Sequence, residues 1–238
     1  MHDTVMKKNI TYIAATAVAV ALSSGLQAGE VVSQPMAPPI SQSTCPWEIS
    51  VAAVYLKAHS NEGQFNSQDE EFGFRLEAAY QNGGLGVRVR YFDWEGSGGT
   101  SYNPSVSSFD LELFDGFQLG GWDGEYAFGL RYAEYDEGDY ISFDGWGPTV
   151  AIDLTHGLSG AFSVYANARA SLVYGDDDYN YDDSFVPIVE LGLGIQYDIS
   201  DCTYVRLGLE GQNWASISSN DNADTGLFGG ALKVGFGW

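Results

Sequence analysis

Hydrophobic side chains recur at every second position along most of this chain, from Trp47 to the last residue. A period of two places successive side chains on opposite faces of an extended strand, so the pattern predicts half-buried β-strands. The final segment is typical, and its apolar members are Leu232, Val234, Phe236 and Trp238. Strands of this kind need a partner that covers a large apolar face.

Ten segments carry this pattern, each about as long as the 9–11 residues that a tilted strand needs to cross a bilayer. Their apolar faces begin at Trp47, Phe72, Leu85, Phe109, Tyr126, Val150, Phe162, Val189, Val205 and Leu232. No segment after residue 28 approaches 18 consecutive apolar residues, which disfavours a membrane-spanning helix. A membrane protein of this kind could therefore only be a closed barrel.

Short and long connections alternate between these segments. The short ones cover residues 81–84, 120–124, 156–160 and 200–202, and the long acidic ones cover 59–69, 96–107, 136–142, 175–184 and 215–225. Outer-membrane barrels show this alternation, with short turns in the periplasm and long loops outside. We therefore predict an all-β fold, a closed antiparallel transmembrane β-barrel of ten strands. Eight or twelve strands, or a secreted soluble β-domain, are the alternatives.

The first 46 residues read as targeting and lead-in segments. Lys7 and Lys8 precede a short apolar run and a small-residue exit at Ala28, which predicts a cleaved signal peptide over residues 1–28. Residues 29–46 contain Pro and Ser without periodicity and are interpreted as a flexible periplasmic lead-in to a barrel over 47–238. Export and a barrel together predict the outer membrane of a Gram-negative-type envelope. The formal net charge of −22 argues against a nucleic-acid partner.

The second face of the strands carries most of the basic residues together with many acids. We expect this face to line the lumen, where enclosed charges must be paired or hydrated. If residues 82–83 form a two-residue turn, Glu77 lies opposite Arg88 and Arg75 opposite Arg90. Glu77 then bridges Arg88 directly and Arg90 diagonally. The expected pore-lining or ion-pair residues are Arg75, Glu77, Arg88, Arg90, Asp110, Glu112, Arg131, Asp153, Arg169, Glu190, Arg206, Glu210 and Lys233. They form either a structural ion-pair network or the selectivity lining of a narrow pore.

Several of these strands also carry a family resemblance. The stretches are "GLRYAEYDE" (129–137), "FDGWGPTVAIDL" (143–154), "SVYANARASLVYGD" (163–176), "VPIVELGLGIQY" (186–197), "VRLGLEGQNW" (205–214) and "GLFGGALKVGF" (226–236). In this order they resemble successive strands of the Legionella-type major outer membrane protein family, with weaker similarity in "VRVRYFDWEG" (87–96). The resemblance covers roughly residues 108 to 238 and implies a pore-forming barrel. It implies no catalytic residues.

The sequence offers little for catalysis or metal binding. His59 and His156 are expected on opposite rims, so no Ser-His-Asp arrangement can use both, and we predict neither an enzyme nor a cofactor. The acidic run at 175–183 lacks the glycine and the final glutamate of an EF-hand. It is interpreted as a solvated loop or as a weak cation-binding loop formed by Asp176, Asp177, Asp178, Asp182 and Asp183.

The two cysteines are both expected at the periplasmic rim. Cys45 immediately precedes the first strand, and Cys202 lies in a short turn. In the oxidising periplasm, two cysteines are the number needed for one bridge, so we predict a Cys45–Cys202 disulfide, with two free thiols as the alternative.

The predicted function is a narrow porin-like channel for ions or small solutes. The alternative is a non-conducting structural or adhesive barrel whose acidic loops bind cations, lipopolysaccharide or partners. Outer-membrane lipid and lipopolysaccharide are the expected surroundings in either case. Phe236 and Trp238 resemble the terminal signal read by the outer-membrane assembly machinery, which is a further expected partner.

Overall fold

The structure is a computed structural model that describes residues 45–60, 69–96, 104–137, 142–177, 182–218 and 223–238. Within these residues the chain forms ten strands. They are β1 (Trp47–Ser60), β2 (Glu71–Tyr80), β3 (Gly86–Glu95), β4 (Ser105–Leu119), β5 (Trp122–Asp136), β6 (Ser142–Ser159), β7 (Phe162–Asp177), β8 (Asp182–Ser200), β9 (Thr203–Ser218) and β10 (Ala223–Gly237). The described residues contain no helix that is long and apolar enough to cross a membrane.

Every strand pairs antiparallel with its neighbours in sequence, and β1 pairs with β10 to close the barrel. The predicted ten-strand closed antiparallel barrel is confirmed. We call the end that holds Cys45, Trp238 and the connections at 81–85, 120–121, 160–161 and 201–202 the turn end, and the opposite end the loop end. The predicted signal peptide and all but the last two residues of the lead-in lie outside the described residues.

The outward face is apolar and is bordered by aromatic pairs at both ends. Pairs toward the turn end are Trp47–Tyr80, Phe117–Tyr126 and Phe162–Tyr197, and pairs toward the loop end are Tyr55–Phe72, Tyr132–Trp146 and Tyr174–Phe185. Between them lie exposed aliphatic side chains such as Leu193 and Leu207. Two aromatic belts around an apolar band are typical of a barrel that spans an outer membrane. Lipid is therefore what covers the apolar face of the strands.

The strands are longer than the sequence predicts. β6 has 18 residues and β8 has 19, well beyond the 9–11 residues that cross a bilayer. Ladder pairing continues past the apolar band and takes up parts of the predicted connections, including 156–160 and 175–184. The predicted acidic loop is consequently in large part strand, because Asp176 pairs with Asp183 and Asp177 with Asp182.

The predicted register between β2 and β3 is wrong. Glu77 lies opposite Arg90, whereas Arg75 lies opposite Phe92 and Arg88 opposite Ala79. The ladder ends at Tyr80 and Val87, so the connection is longer than a two-residue turn. Gly83 and Gly84 both have positive φ, and the Gln81 side-chain amide donates to the Gly84 carbonyl at 2.6 Å. This wider turn shifts the register by two residues and gives Glu77 a different partner.

Candidate functional site

The inward face of each strand changes character along its length. On β3, Arg88 and Arg90 come first from the turn end, and Phe92 and Trp94 follow on the same face. On β8 the change occurs between Glu190 and Ile188, which is fully buried. The lumen therefore has a charged half toward the turn end and an apolar half toward the loop end.

Six charged side chains meet at the middle of the lumen, and we call them the central ion layer. They are Arg90, Asp110, Glu112, Arg131, Arg169 and Glu190. Arg90, Asp110 and Arg131 stand side by side on β3, β4 and β5, because they are register partners. Three arginines balance three carboxylates, which is what a charge cluster shielded from water requires.

Glu190 connects this layer across the lumen. It projects from β8, and its two carboxylate oxygens form ion pairs with Arg90 and Arg131 on the opposite wall, each at 2.5 Å. Arg169 on β7 likewise forms an ion pair with Glu112 on β4. Arg131 is 1% exposed and Asp110 is 0% exposed. Direct contacts thus join opposite walls of the lumen at this level.

A second set of ion pairs lies between the central ion layer and the turn end. Arg75 makes a two-pronged contact with Glu210 at 2.9 and 3.0 Å. The other contacts join Lys233 to Glu77, Arg88 to Glu125 and Glu112, and Arg206 to Asp153. All thirteen residues predicted to line the lumen therefore lie in it and make ion pairs with one another. Of the two bridges predicted for Glu77, the one to Arg90 is present at 3.5 Å, whereas Arg88 makes its ion pairs with Glu112 and Glu125.

Aromatic rings that the sequence analysis missed complete this half of the lumen. The Arg206 guanidinium lies 4.9 Å from the centre of the Tyr165 ring and 5.1 Å from that of Tyr204. The Tyr204 hydroxyl donates to Glu48 at 2.8 Å. A polar cavity of about 90 Å³, large enough to hold water, is lined by Tyr165 and Arg206 of this half and by Arg90, Arg169 and Glu190 of the central ion layer. The Gln212 amide nitrogen, which borders the cavity, has no protein partner among the residues that the structure describes.

The half of the lumen toward the loop end is a packed apolar layer. Its members are Val54, Leu56, Ala58, Phe92, Trp94, Val106, Ala133, Tyr135, Phe143, Val173, Val186, Ile188, Trp214, Ile217 and Leu227, each at most 2% exposed. The expectation of a polar lumen does not hold here, because these strands are apolar on both faces. Continuous runs such as "VAAVYL" (51–56) were the signal for it, since a strand buried on both faces loses its alternation.

One acid lies beyond the end of β5, next to this apolar layer. Glu137 is buried, and the Tyr135 hydroxyl donates to it at 3.4 Å while also contacting the Thr225 hydroxyl at 3.2 Å. Burial raises the pKa of the Glu137 carboxyl to about 6. Its second carboxylate oxygen has no protein partner among the described residues.

The remaining predicted residues lie at the two ends of the barrel. Cys45 and Cys202 form a disulfide at the turn end, with Cα atoms 6.0 Å apart. Phe236 and Trp238 point outward there and are more than half exposed.

The acidic run stands at the loop end. Of the five aspartates predicted to bind a cation, Asp178 and the side chains of Asp177, Asp182 and Asp183 lie outside the described residues. The side chain of Asp176 is described. Among the described residues, no group of three or more His, Cys, Asp or Glu side chains is arranged to hold a metal ion.

Residues 110–227 match the family model described as the Legionella pneumophila major outer membrane protein precursor. No curated protein matches the chain.

Solved structures that resemble the barrel come from several bacteria. The outer membrane protease OmpT of Escherichia coli is 7% identical with a TM-score of 0.55, covering 84% of this chain and 99% of that chain. Neisserial surface protein A is 15% identical with a TM-score of 0.44, covering 81% and 97%. OprG of Pseudomonas aeruginosa is 11% identical with a TM-score of 0.36, covering 82% and 97%. The likeness to OmpT shows the fold of this chain and nothing further.

Proposed function

We propose that this chain, which across residues 110–227 belongs to the family of the Legionella pneumophila major outer membrane protein and folds as an outer-membrane β-barrel, is a non-conducting structural barrel. In this proposal the barrel holds its loop end at the cell surface as a rigid platform. It performs no turnover, and its partners are outer-membrane lipid, lipopolysaccharide and, during assembly, the machinery that inserts barrels.

The observation that carries the proposal is the closure of the lumen at the central ion layer. Glu190 spans from β8 to Arg90 and Arg131 at 2.5 Å each, so opposite walls touch. A side chain that lines an open aqueous pore is in contact with water, as the selectivity of such pores requires. Arg131 and Asp110 are instead almost completely enclosed. These charges act as internal braces of the barrel.

The apolar layer supports the same proposal independently. An ion or sugar that crosses the lumen would have to pass Trp94, Tyr135 and Trp214, which are packed to 1% exposure. Interiors of this kind are close-packed, and water gains nothing by entering them because they offer few polar partners. Passage would require rearrangement of two successive layers of different chemistry.

A narrow porin-like channel is the second candidate. The polar cavity toward the turn end supports it, because a charged, hydrated vestibule is what a selective pore would need. For conduction, Glu190 would have to leave both of its arginine partners, and the apolar layer would have to open as well. We regard this as the weaker candidate, since it needs a second conformation.

Solute entry into vesicles tests the proposal. Refolded protein is incorporated into liposomes, and uptake of neutral solutes from glycerol to disaccharides is followed by swelling, with a known general porin as the positive control. We expect rates equal to those of protein-free liposomes for every solute. Size-dependent uptake that scales with the amount of incorporated barrel would refute the closed barrel and support the channel.

A further inference from the structure

The ladder between β1 and β10 differs from the others in how its strands are connected. Nine ladders join strands that follow one another in sequence, so a turn or loop covalently links each pair. In the part of the chain that the structure describes, β1–β10 is the one ladder between strands far apart in sequence, and we call it the seam. Non-covalent contacts alone hold the seam, unless another bond crosses it.

The disulfide supplies such a bond. Cys45 stands two residues before β1, and Cys202 lies in the turn between β8 and β9. Around the barrel the order is β1, β10, β9, so the bridge passes beneath the base of β10. With this bond in place, β1 is covalently joined to the strand beyond β10, and the base of β10 is enclosed between them.

Main-chain hydrogen bonds hold the base of β10 next to the disulfide. The Gly237 amide donates to the Cys202 carbonyl at 2.6 Å, and Trp238 and Trp47 exchange amide–carbonyl bonds of 3.0 and 3.2 Å. A Cβ atom at Gly237 would lie 2.8 Å from the Cys45 Cβ atom and 3.1 Å from the Trp47 carbonyl oxygen. Glycine at this position therefore leaves the space that the bridge needs.

We propose that the Cys45–Cys202 disulfide is a clasp that prevents the seam from opening, and that it acts on this ladder rather than on the barrel as a whole. The physical reason is local. When β1 separates from β10, the bridge keeps the base of β1 close to β9, so the two strands re-pair quickly. Without the bridge, the base of β1 can move away from β9.

Amide hydrogen exchange measures this opening ladder by ladder. The full chain is refolded, and the oxidised protein is compared with the Cys45→Ser/Cys202→Ser variant under the same conditions. We expect exchange in residues 47–56 and 227–237 to be at least tenfold faster in the variant. Residues 127–135 and 143–151, on the far wall, serve as the internal reference and should exchange at unchanged rates.

Reduction of the folded protein gives the same comparison if the variant refolds poorly. Dithiothreitol transfers two protons and two electrons to the bridge, which becomes two thiols while the reagent closes to its cyclic disulfide. Iodoacetamide then blocks both thiols. We expect the same seam-specific acceleration. Unchanged exchange at the seam, or an equal acceleration in all ladders, would overturn the proposal, since the disulfide would then be inert or a general stabiliser.

Discussion

Neutralising Glu190 should destabilise the barrel far more than neutralising a similar glutamate nearer the turn end. Glu190 is the carboxylate that forms ion pairs with both Arg90 and Arg131 at the centre of the lumen. In the Glu190→Gln variant Arg131 keeps Asp110, and Arg90 keeps Asp110 and its longer contact with Glu77. Three arginines of the central ion layer then face two of its carboxylates. Removing one partner from a buried ion pair costs about 3–5 kcal/mol, and the amide retains some hydrogen bonding, so we expect about 3 kcal/mol.

Glu125 provides the matched control. It also pairs with an arginine at 2.5 Å, but its side chain is 30% exposed, and its partner Arg88 keeps a second contact with Glu112 at 2.8 Å. A partly solvated pair of this kind contributes little, so Glu125→Gln should cost below about 1 kcal/mol. Both variants remove one negative charge and keep the side-chain shape, so they differ in the burial of the glutamate and in the number of arginine partners that it loses.

Urea unfolding of the refolded barrel measures the effect. If the free energy of unfolding falls by about 2–3 kcal/mol per molar urea, Glu190→Gln should lower the urea concentration at the unfolding midpoint by about 1 M. Glu125→Gln should lower it by less than half of that. Adding Arg131→Met to Glu190→Gln restores the charge balance and should recover part of the loss, giving a non-additive cycle. Equal midpoint shifts for the two glutamine variants would refute the reasoning that the central ion layer closes and braces the lumen.

Three further predictions address the wall, the loop end and the orientation. A Cβ atom at Gly147 would clash with the β7 backbone, so Gly147→Ala should cost about 1–3 kcal/mol in urea unfolding, whereas Gly157→Ala, where the space is open, should be neutral. The folded protein binds the Glu137 proton more tightly than the unfolded chain, because the pKa rises from 4.5 to about 6. The stabilising contribution of the protonated carboxyl is therefore full below pH 4.5 and is lost as the pH rises through 6. When both proteins are unfolded at a series of pH values, the Glu137→Gln variant should lack this fall in the free energy of unfolding. A tag inserted at Asp178 should be labelled on intact cells, and a tag at Ser159 should not. The reverse labelling pattern would contradict the predicted orientation of the barrel in the membrane.

The strand number and the faces of the strands were predictable because the lipid and the lumen impose a strict period of two. Leu193 and Leu207 alternate with glycine and arginine, and no other strand arrangement satisfies that pattern in a bilayer. The thirteen luminal charges follow from the same parity, since each lies on the face opposite the lipid.

The contacts between those charges were not predictable from local spacing. The β2–β3 register depended on a turn in which the Gln81 side chain bonds to Gly84, which lengthens the connection. The bond from Glu190 to Arg90 crosses between residues 100 positions apart, so it exists only after closure sets which walls face each other. The apolar layer was missed for a different reason: Val54 and Leu56 lie on the luminal face of a strand whose outer face is also apolar.

Single-channel recording tests the central claim, a lumen closed by the central ion layer and the apolar layer, most directly. Purified, refolded protein is added to a planar bilayer in 1 M KCl, and current is recorded over a range of voltages, with the heat-modified band on a gel confirming that folded barrel was inserted. We predict a current indistinguishable from that of the bilayer alone. Discrete, reproducible conductance steps from folded protein would contradict the closed lumen.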